Sequence, residues 1–290
     1  MAKSQAKHGV KNKEVETTGH EWDGIKEFNN PMPRWWVWTF YATIVWGIAY
    51  SLAYPSWPGV RAAFPGFLGW STRADVAADI QKFTDMNADL NAKLASADLT
   101  TIKDDAALHN YASQYGRATF ATFCSQCHGS GAAGAKGYPN LLDNDWLWGG
   151  DIETIQTTVT HGIRSTADDD TRLGDMPAWT DVLEEDEMAN VIEFVVGLAG
   201  GEHDAAKAEE GAVVFEDNCS SCHAEGGVGD RDLGAPNLTD AIWLYGGDRA
   251  TITETIANGR AGEMPSWNAT LSPSQIAAVT TYVHELGGGE

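Results

Sequence analysis

One segment of the chain occurs twice, and between them the two versions use every cysteine it has. Residues 116–129 read GRATFATFCSQCHG and residues 211–224 read GAVVFEDNCSSCHA. The agreement continues in PNLLDNDWLWGGD at 139–151 and PNLTDAIWLYGGD at 236–248, then in GDMPAW at 174–179 and GEMPSW at 262–267. An apolar-periodic stretch closes each copy, at 184–198 and at 272–286. An internal repeat of this length means one supersecondary unit built twice. The offset falls from 97 to 88 before the methionines, so the first copy carries nine extra residues around Ser165–Asp170.

Both cysteine pairs lie in Cys-x-x-Cys-His: Cys124, Cys127, His128 and Cys219, Cys222, His223. Four thiolates could hold one tetrahedral zinc, and each pair alone could be a thiol–disulfide couple. Neither chemistry needs a histidine directly after the second cysteine in both copies. Covalent haem attachment does, because one short turn must present two sulfurs to the vinyl groups and an imidazole to the iron. Two haems c held by thioether bonds are therefore expected.

Each iron has a second axial position, and Met/His ligation is the electron-transfer pattern that raises the potential. Met176 and Met264 sit at matching places in Gly/Pro-rich loops, each stiffened by the following proline. A core-filling role fits Met188 better, which lies on a helical stretch and does not recur. Among the histidines, His161 aligns with Asn258 and His284 with Val196, so neither recurs, while His109 and His203 precede the haem motifs. The metal ligands expected are thus His128, Met176, His223 and Met264. Which methionine serves which haem is open, within a copy or across to its neighbour. With both axial positions filled, the chain moves electrons and is no enzyme on its own.

Each copy reads as helix, binding loop, helix, methionine loop, helix. Ser272 with Pro273 and Gln275 forms a capping box, and Gly200 and Gly287 end the closing helices. Gly116 and Gly211 on the first helices permit close approach of another helix. Phe194 and Tyr282 on the closing helices are the natural partners of Phe120 and Phe215. The spacing of Val76, Ile80, Phe83, Leu90 and Leu94 predicts an amphipathic helix over 74–97. Residues 201–210 join the copies, and the nine extra residues read as a solvated loop.

Trp35 to Tyr54 is twenty residues without a charge. At about 1.5 Å per residue it spans roughly 30 Å, the thickness of a bilayer's hydrocarbon core, with aromatic residues at both ends. It is too long, and follows too long a lead-in, for a cleaved signal peptide. The fold class expected is all-α: one N-terminal transmembrane helix followed by two tandem cytochrome c-type helical domains. The divisions are 1–34 cytoplasmic tail, 35–54 transmembrane helix, 55–107 periplasmic linker, 108–200 first domain and 206–290 second domain. Haem c attachment occurs outside the cytoplasm, which places the haem domains in the periplasm and the N-terminus inside. Lys and Arg number 19 against 41 Asp and Glu, a net charge of −22. Such a surface excludes nucleic acid and suits steering of a basic donor protein.

The stretch HEWDGIKEFNNPMPRWWVWTFYATIVWGIAYSLAYPSWPG at 20–59, followed by two c-type modules, resembles subunit III (the CcoP or FixP type) of cbb3-type cytochrome c oxidases. That resemblance implies a bacterial inner membrane, a haem–copper catalytic subunit, a monohaem c subunit between it and this chain, and a donor cytochrome c. It also implies that the aromatic-rich anchor packs against the catalytic subunit. The other class of function is a membrane-anchored dihaem cytochrome serving a periplasmic dehydrogenase or another respiratory complex.

Overall fold

A computed structural model describes residues 15–290. The lysines and His8 of the first fourteen positions lie outside the described residues. Two compact units divide the chain, one up to Thr84 and one from Asp85 to Glu290.

The first unit begins with a hairpin that departs from the all-α expectation: β1 (Thr17–Trp22) pairs antiparallel with β2 (Ile25–Phe28). Its turn is Asp23-Gly24, both at positive φ, the Asp-Gly signal of a tight hairpin. Helix α1 (Arg34–Ala53) follows over the expected span, with no buried residue. Among the described residues, no helix is long and apolar enough to cross a membrane. α1 has the length, but Trp35, Trp36, Trp38, Trp46, Tyr41 and Tyr50 lower its mean hydropathy.

The single helix expected over 74–97 is two. α2 (Thr72–Met86) exposes Val76, Ile80 and Phe83, while α3 (Ala88–Ser96) buries Leu94 to 1% exposure. The break falls at Asn87, which precedes α3 as its N-cap. α3 and the 3-10 turn Leu99–Asp104 therefore belong to the second unit's core, not to a linker.

The second unit continues with α4 (Ala106–Thr119), capped by the Asp105 carboxylate on the amides of Ala107 and Leu108. A π turn (Phe120–Cys124) and the short α5 (Ser125–His128) carry the first cysteine motif. α6 (Ile152–His161) and α7 (Glu185–Leu198) complete the first copy. The second copy has α8 (Ala205–Asn218), α9 (Ser220–His223), α10 (Arg249–Asn258) and α11 (Pro273–His284). α8 takes up most of the expected joining segment, because Asp204 caps it at the amides of Ala206 and Lys207. Ser272 and Gln275 form the expected capping box at α11.

The two copies exchange their closing helices. α11 of the second copy packs on α4 of the first, and α7 of the first packs on α8 of the second. The glycines make this possible. A Cβ at Gly116 would lie 2.1 Å from the Ala278 carbonyl oxygen, and one at Gly211 would lie 2.1 Å from that of Asn190. One turn on, Phe120 meets Tyr282 with ring centroids 5.6 Å apart, and Phe215 meets Phe194 at 5.1 Å. The expected aromatic partners are right, but each comes from the other copy.

Candidate functional site: two cysteine motifs and two exchanged methionine loops

Each Cys-x-x-Cys-His turn lies at the end of a helix whose inner face is anchored by one phenylalanine, Phe120 or Phe215, each 2% exposed. Cys127 and Cys222 are exposed, while Cys124 and Cys219 are half-buried. Burial, with the neighbouring thiol adding to it, pushes Cys124 and Cys219 up to about 11. Redox-active pairs need the opposite shift, a lowered thiol, so the electrostatics oppose a thiol–disulfide couple.

The two histidines are held alike. His128 Nδ1–H donates to the Pro139 carbonyl at 3.1 Å, and His223 Nδ1–H donates to the Pro236 carbonyl at 3.1 Å. This bond sets the tautomer and leaves Nε2 with its lone pair for a metal, the usual outer-shell arrangement of a ligating imidazole. Burial lowers the pKa of both histidines, and the backbone contact partly opposes it. Both are therefore neutral imidazoles near neutral pH. Pro139 and Pro236 were not singled out from the sequence, although each opens a repeated Pro-Asn-Leu.

The methionines reach these turns crosswise. Met264 packs against the core formed by Phe120, Ile155 and Val159, against which Cys124 and Phe123 also pack. Met176 packs against the core formed by Phe215, Ile252 and Ile256, against which Cys219 also packs. Main-chain bonds fix each loop against the other copy's middle helix. Met264 exchanges two hydrogen bonds with Ile163, at 2.8 and 3.0 Å, and Met176 exchanges two with Arg260, both at 2.9 Å. Next to these residues, Gly162 and Gly259 end α6 and α10 at φ +72° and +70°. A Cβ there would lie 2.4 Å from the Met264 carbonyl oxygen and 2.2 Å from that of Met176. One glycine thus stops its helix and admits the foreign loop. Trp267 follows Met264 into the same core and packs edge-on against Phe123, centroids 5.7 Å apart.

Other histidines in the described residues are occupied elsewhere. His161 Nδ1–H donates to Asp168 at 3.1 Å, His203 Nδ1–H to the Gly201 carbonyl at 2.8 Å, and His284 Nε2–H to the Glu290 carbonyl at 2.9 Å. His109 bonds Glu285 and His20 stacks near Trp22. Two arginines escaped the sequence reading. Arg172 lies over the Trp148 ring at 5.2 Å and bonds the Thr158 hydroxyl, while Arg260 lies over Tyr245 at 4.3 Å and bonds that of Thr255. Arg, aromatic and Thr occupy matching positions in both copies, which is the signal that could have found them. The nine extra residues are not a free loop either: Asp168 accepts from Asn268 as well as His161, and Ser165 Oγ accepts from the Ser266 amide at 3.1 Å.

Paired helical modules with a Cys-x-x-Cys-His turn and a methionine loop define the class of c-type cytochromes. Comparison with known families narrows this. The N-terminal domain of cytochrome oxidase-cbb3, FixP, matches residues 14–61, and cytochrome c oxidase, cbb3-type, subunit III matches residues 112–195 and 206–283. The cbb3-type cytochrome c oxidase subunit CcoP of Cereibacter sphaeroides is 58% identical, with 96% of each chain covered. That of Rhodobacter capsulatus is 54% identical over 96% of this chain and 97% of its own. Subunit FixP of Azorhizobium caulinodans is 51% identical, with 94% of each covered. The chain belongs to the CcoP/FixP family, subunit III of cbb3-type cytochrome c oxidases. Its role is electron transfer within an oxidoreductase complex.

Proposed function

We propose that the chain carries two haems c, each held by one copy's cysteines and histidine and by the other copy's methionine. Cys124, Cys127, His128 and Met264 would hold one haem. Cys219, Cys222, His223 and Met176 would hold the second. The observation that carries this pairing is that Met264 packs against the same core as Cys124, and Met176 against the same core as Cys219. When bound, the haem supplies a one-electron couple, raised by Met/His ligation. The residues contribute orientation and exclusion of water. The Pro139 and Pro236 carbonyls hold the imidazoles, and the aliphatic and aromatic cores close around the methionines. With a histidine and a methionine committed to each haem, oxygen would be reduced elsewhere.

The subunit then passes electrons from a basic donor cytochrome c towards a haem–copper catalytic subunit, with a monohaem c subunit between. The acidic balance of the chain supports the choice of donor. Although aromatic residues lower its hydropathy, α1 has the twenty-residue length of a membrane span, and on that reading it serves as a single-pass anchor in a bacterial inner membrane, with the N-terminus cytoplasmic and residues 55–290 periplasmic. Its outward-facing side chains and terminal tryptophans support this reading.

Single-haem variants test the pairing. In full-length protein lacking Cys219 and Cys222, Met264→Ala removes the methionine-to-ferric-iron charge-transfer band and Met176→Ala leaves it. In protein lacking Cys124 and Cys127 the effects reverse. The opposite assignment would show that each methionine serves its own copy.

A further inference from the structure

The pseudo-twofold relation between the copies breaks at the nine extra residues of the first copy, and Arg164 lies within them. No residue of the second copy corresponds to it, yet it serves both copies. Its Nε–H donates to the Gly262 carbonyl at 2.6 Å and its Nη1–H donates to the Gly174 carbonyl. These two glycines are the same residue of the repeat, the first of GEMPSW and the first of GDMPAW. Each stands two positions before its methionine. A planar guanidinium suits such a bridge, because its N–H donors leave in fixed, divergent directions.

Three observations make the bridge a built feature rather than a surface contact. The Arg164 backbone has φ +53°, a conformation seldom taken by a residue with a Cβ. Neighbouring bonds hold it there: its amide donates to the Arg172 carbonyl at 2.7 Å, and Ile163 before it exchanges two bonds with Met264. Finally, among the described residues no carboxylate forms an ion pair with it; its hydrogen bonds go to main-chain carbonyls, and Asp175 acts on the half-buried cation only through its field. Burial lowers its pKa, in keeping with a charge drawn out of solvent. An unusual backbone held in place by its surroundings is a pointer to function.

We propose that Arg164 is a positioning residue common to both electron-carrying sites, one guanidinium tying the seating of Met176 to that of Met264. This rests on the reading that both methionines ligate haem iron. The bridge has a consequence no local contact would have: loosening it releases two ligands at once, in cores built around different cysteine motifs. A lysine cannot replace it, since a single ammonium on a flexible stem does not span two carbonyls in fixed directions.

The test is an alkaline titration of the methionine-to-ferric-iron band in the full-length, haem-loaded protein and in the two single-haem proteins. Arg164→Gln should lower the midpoint of band loss by about one pH unit in both single-haem proteins, the loss of one charge-assisted hydrogen bond per loop. Arg164→Lys, which keeps the charge, should recover at most one of the two midpoints. Unchanged midpoints, or a shift confined to one haem in both variants, would overturn the proposal. If Arg164→Gln fails to take up haem, Arg164→Lys carries the same comparison. A wild-type protein without the band refutes methionine ligation itself, an outcome distinct from a normal band that ignores Arg164.

Discussion

The core around Cys124 and the core around Cys219 are assembled from the same parts, yet they are not equally supported. Behind α4 stands a second apolar layer: α3 and the 3-10 turn bury Leu94, Leu99 and Ile102 against Leu108, Ala112 and Ala278. Tyr111 reinforces it through a 2.8 Å bond to Asn91. Among the described residues no such layer stands behind α8, and Val213 is left 63% exposed. The repeated residues thus build what surrounds each cysteine motif, while residues outside the repeat decide how firmly each is braced.

The largest effect should therefore come from a residue with no counterpart. Leu94 is 1% exposed, and Leu94→Ala should cost about 2–5 kcal/mol, the range for a truncated core leucine. Hydrogen exchange locates the loss. Protection should fall in α4 and α11 while α7 and α8 keep theirs. Equal loss in both pairs would mean that the two cores unfold as one and that the bracing is shared.

Next in size are Gly116→Ala and Gly211→Ala, which test the part the cores have in common. Each adds a methyl group against a carbonyl of the exchanged helix, and neither helix can yield without moving its aromatic contact. Overpacking of this kind costs about 1–3 kcal/mol. Thermal melts of the two variants should fall by similar amounts. A harmless Gly211→Ala beside a damaging Gly116→Ala would show that α7 and α8 are free to slide.

How much of this could be read beforehand follows from where the information lies. The cysteine turns, the capping box at Ser272, the glycines of close approach and the aromatic residues Phe120, Phe194, Phe215 and Tyr282 are legible because each belongs to a local pattern. The exchange is not. Tyr282 and Phe194 stand in the same register of the repeat, so α4 accepts either closing helix as far as sequence pattern goes. The choice rests on chain path and on the loops that follow α6 and α10. The apolar spacing over 74–97 was genuine, but it runs through two helices, since periodicity does not register a break such as the one at Asn87. The hairpin at 17–28 carries its signal in Asp23-Gly24, a two-residue turn within a stretch otherwise without strong apolar alternation.

The smallest expected effect concerns a position where the copies differ in kind. Asp145 of the first copy corresponds to Ile242 of the second, and both line one cavity of about 510 Å³ together with Asp230, Arg231 and Asp240. Burial, then the Asp240 and Asp143 carboxylates, push Asp145 up to about 6, against a partial pull from Arg231. Its ordinary value is 3.8, so between about pH 4 and 6 the folded chain holds a proton that the unfolded chain has released. Stability must then fall as pH rises through that window and level off above it, where both states are ionised. The lowered carboxylates Asp151 and Glu290 act oppositely, but only near and below their ordinary values. Asp145→Asn should leave the melting temperature near pH 4 almost unchanged and raise it at pH 7, flattening the profile between. The group is half-exposed and solvent screens it, so a shift of a degree or two is expected. A variant whose melting temperature follows the wild type at every pH would mean that the carboxylate is solvated. The acid at this position would then be as neutral to the fold as the isoleucine of the other copy.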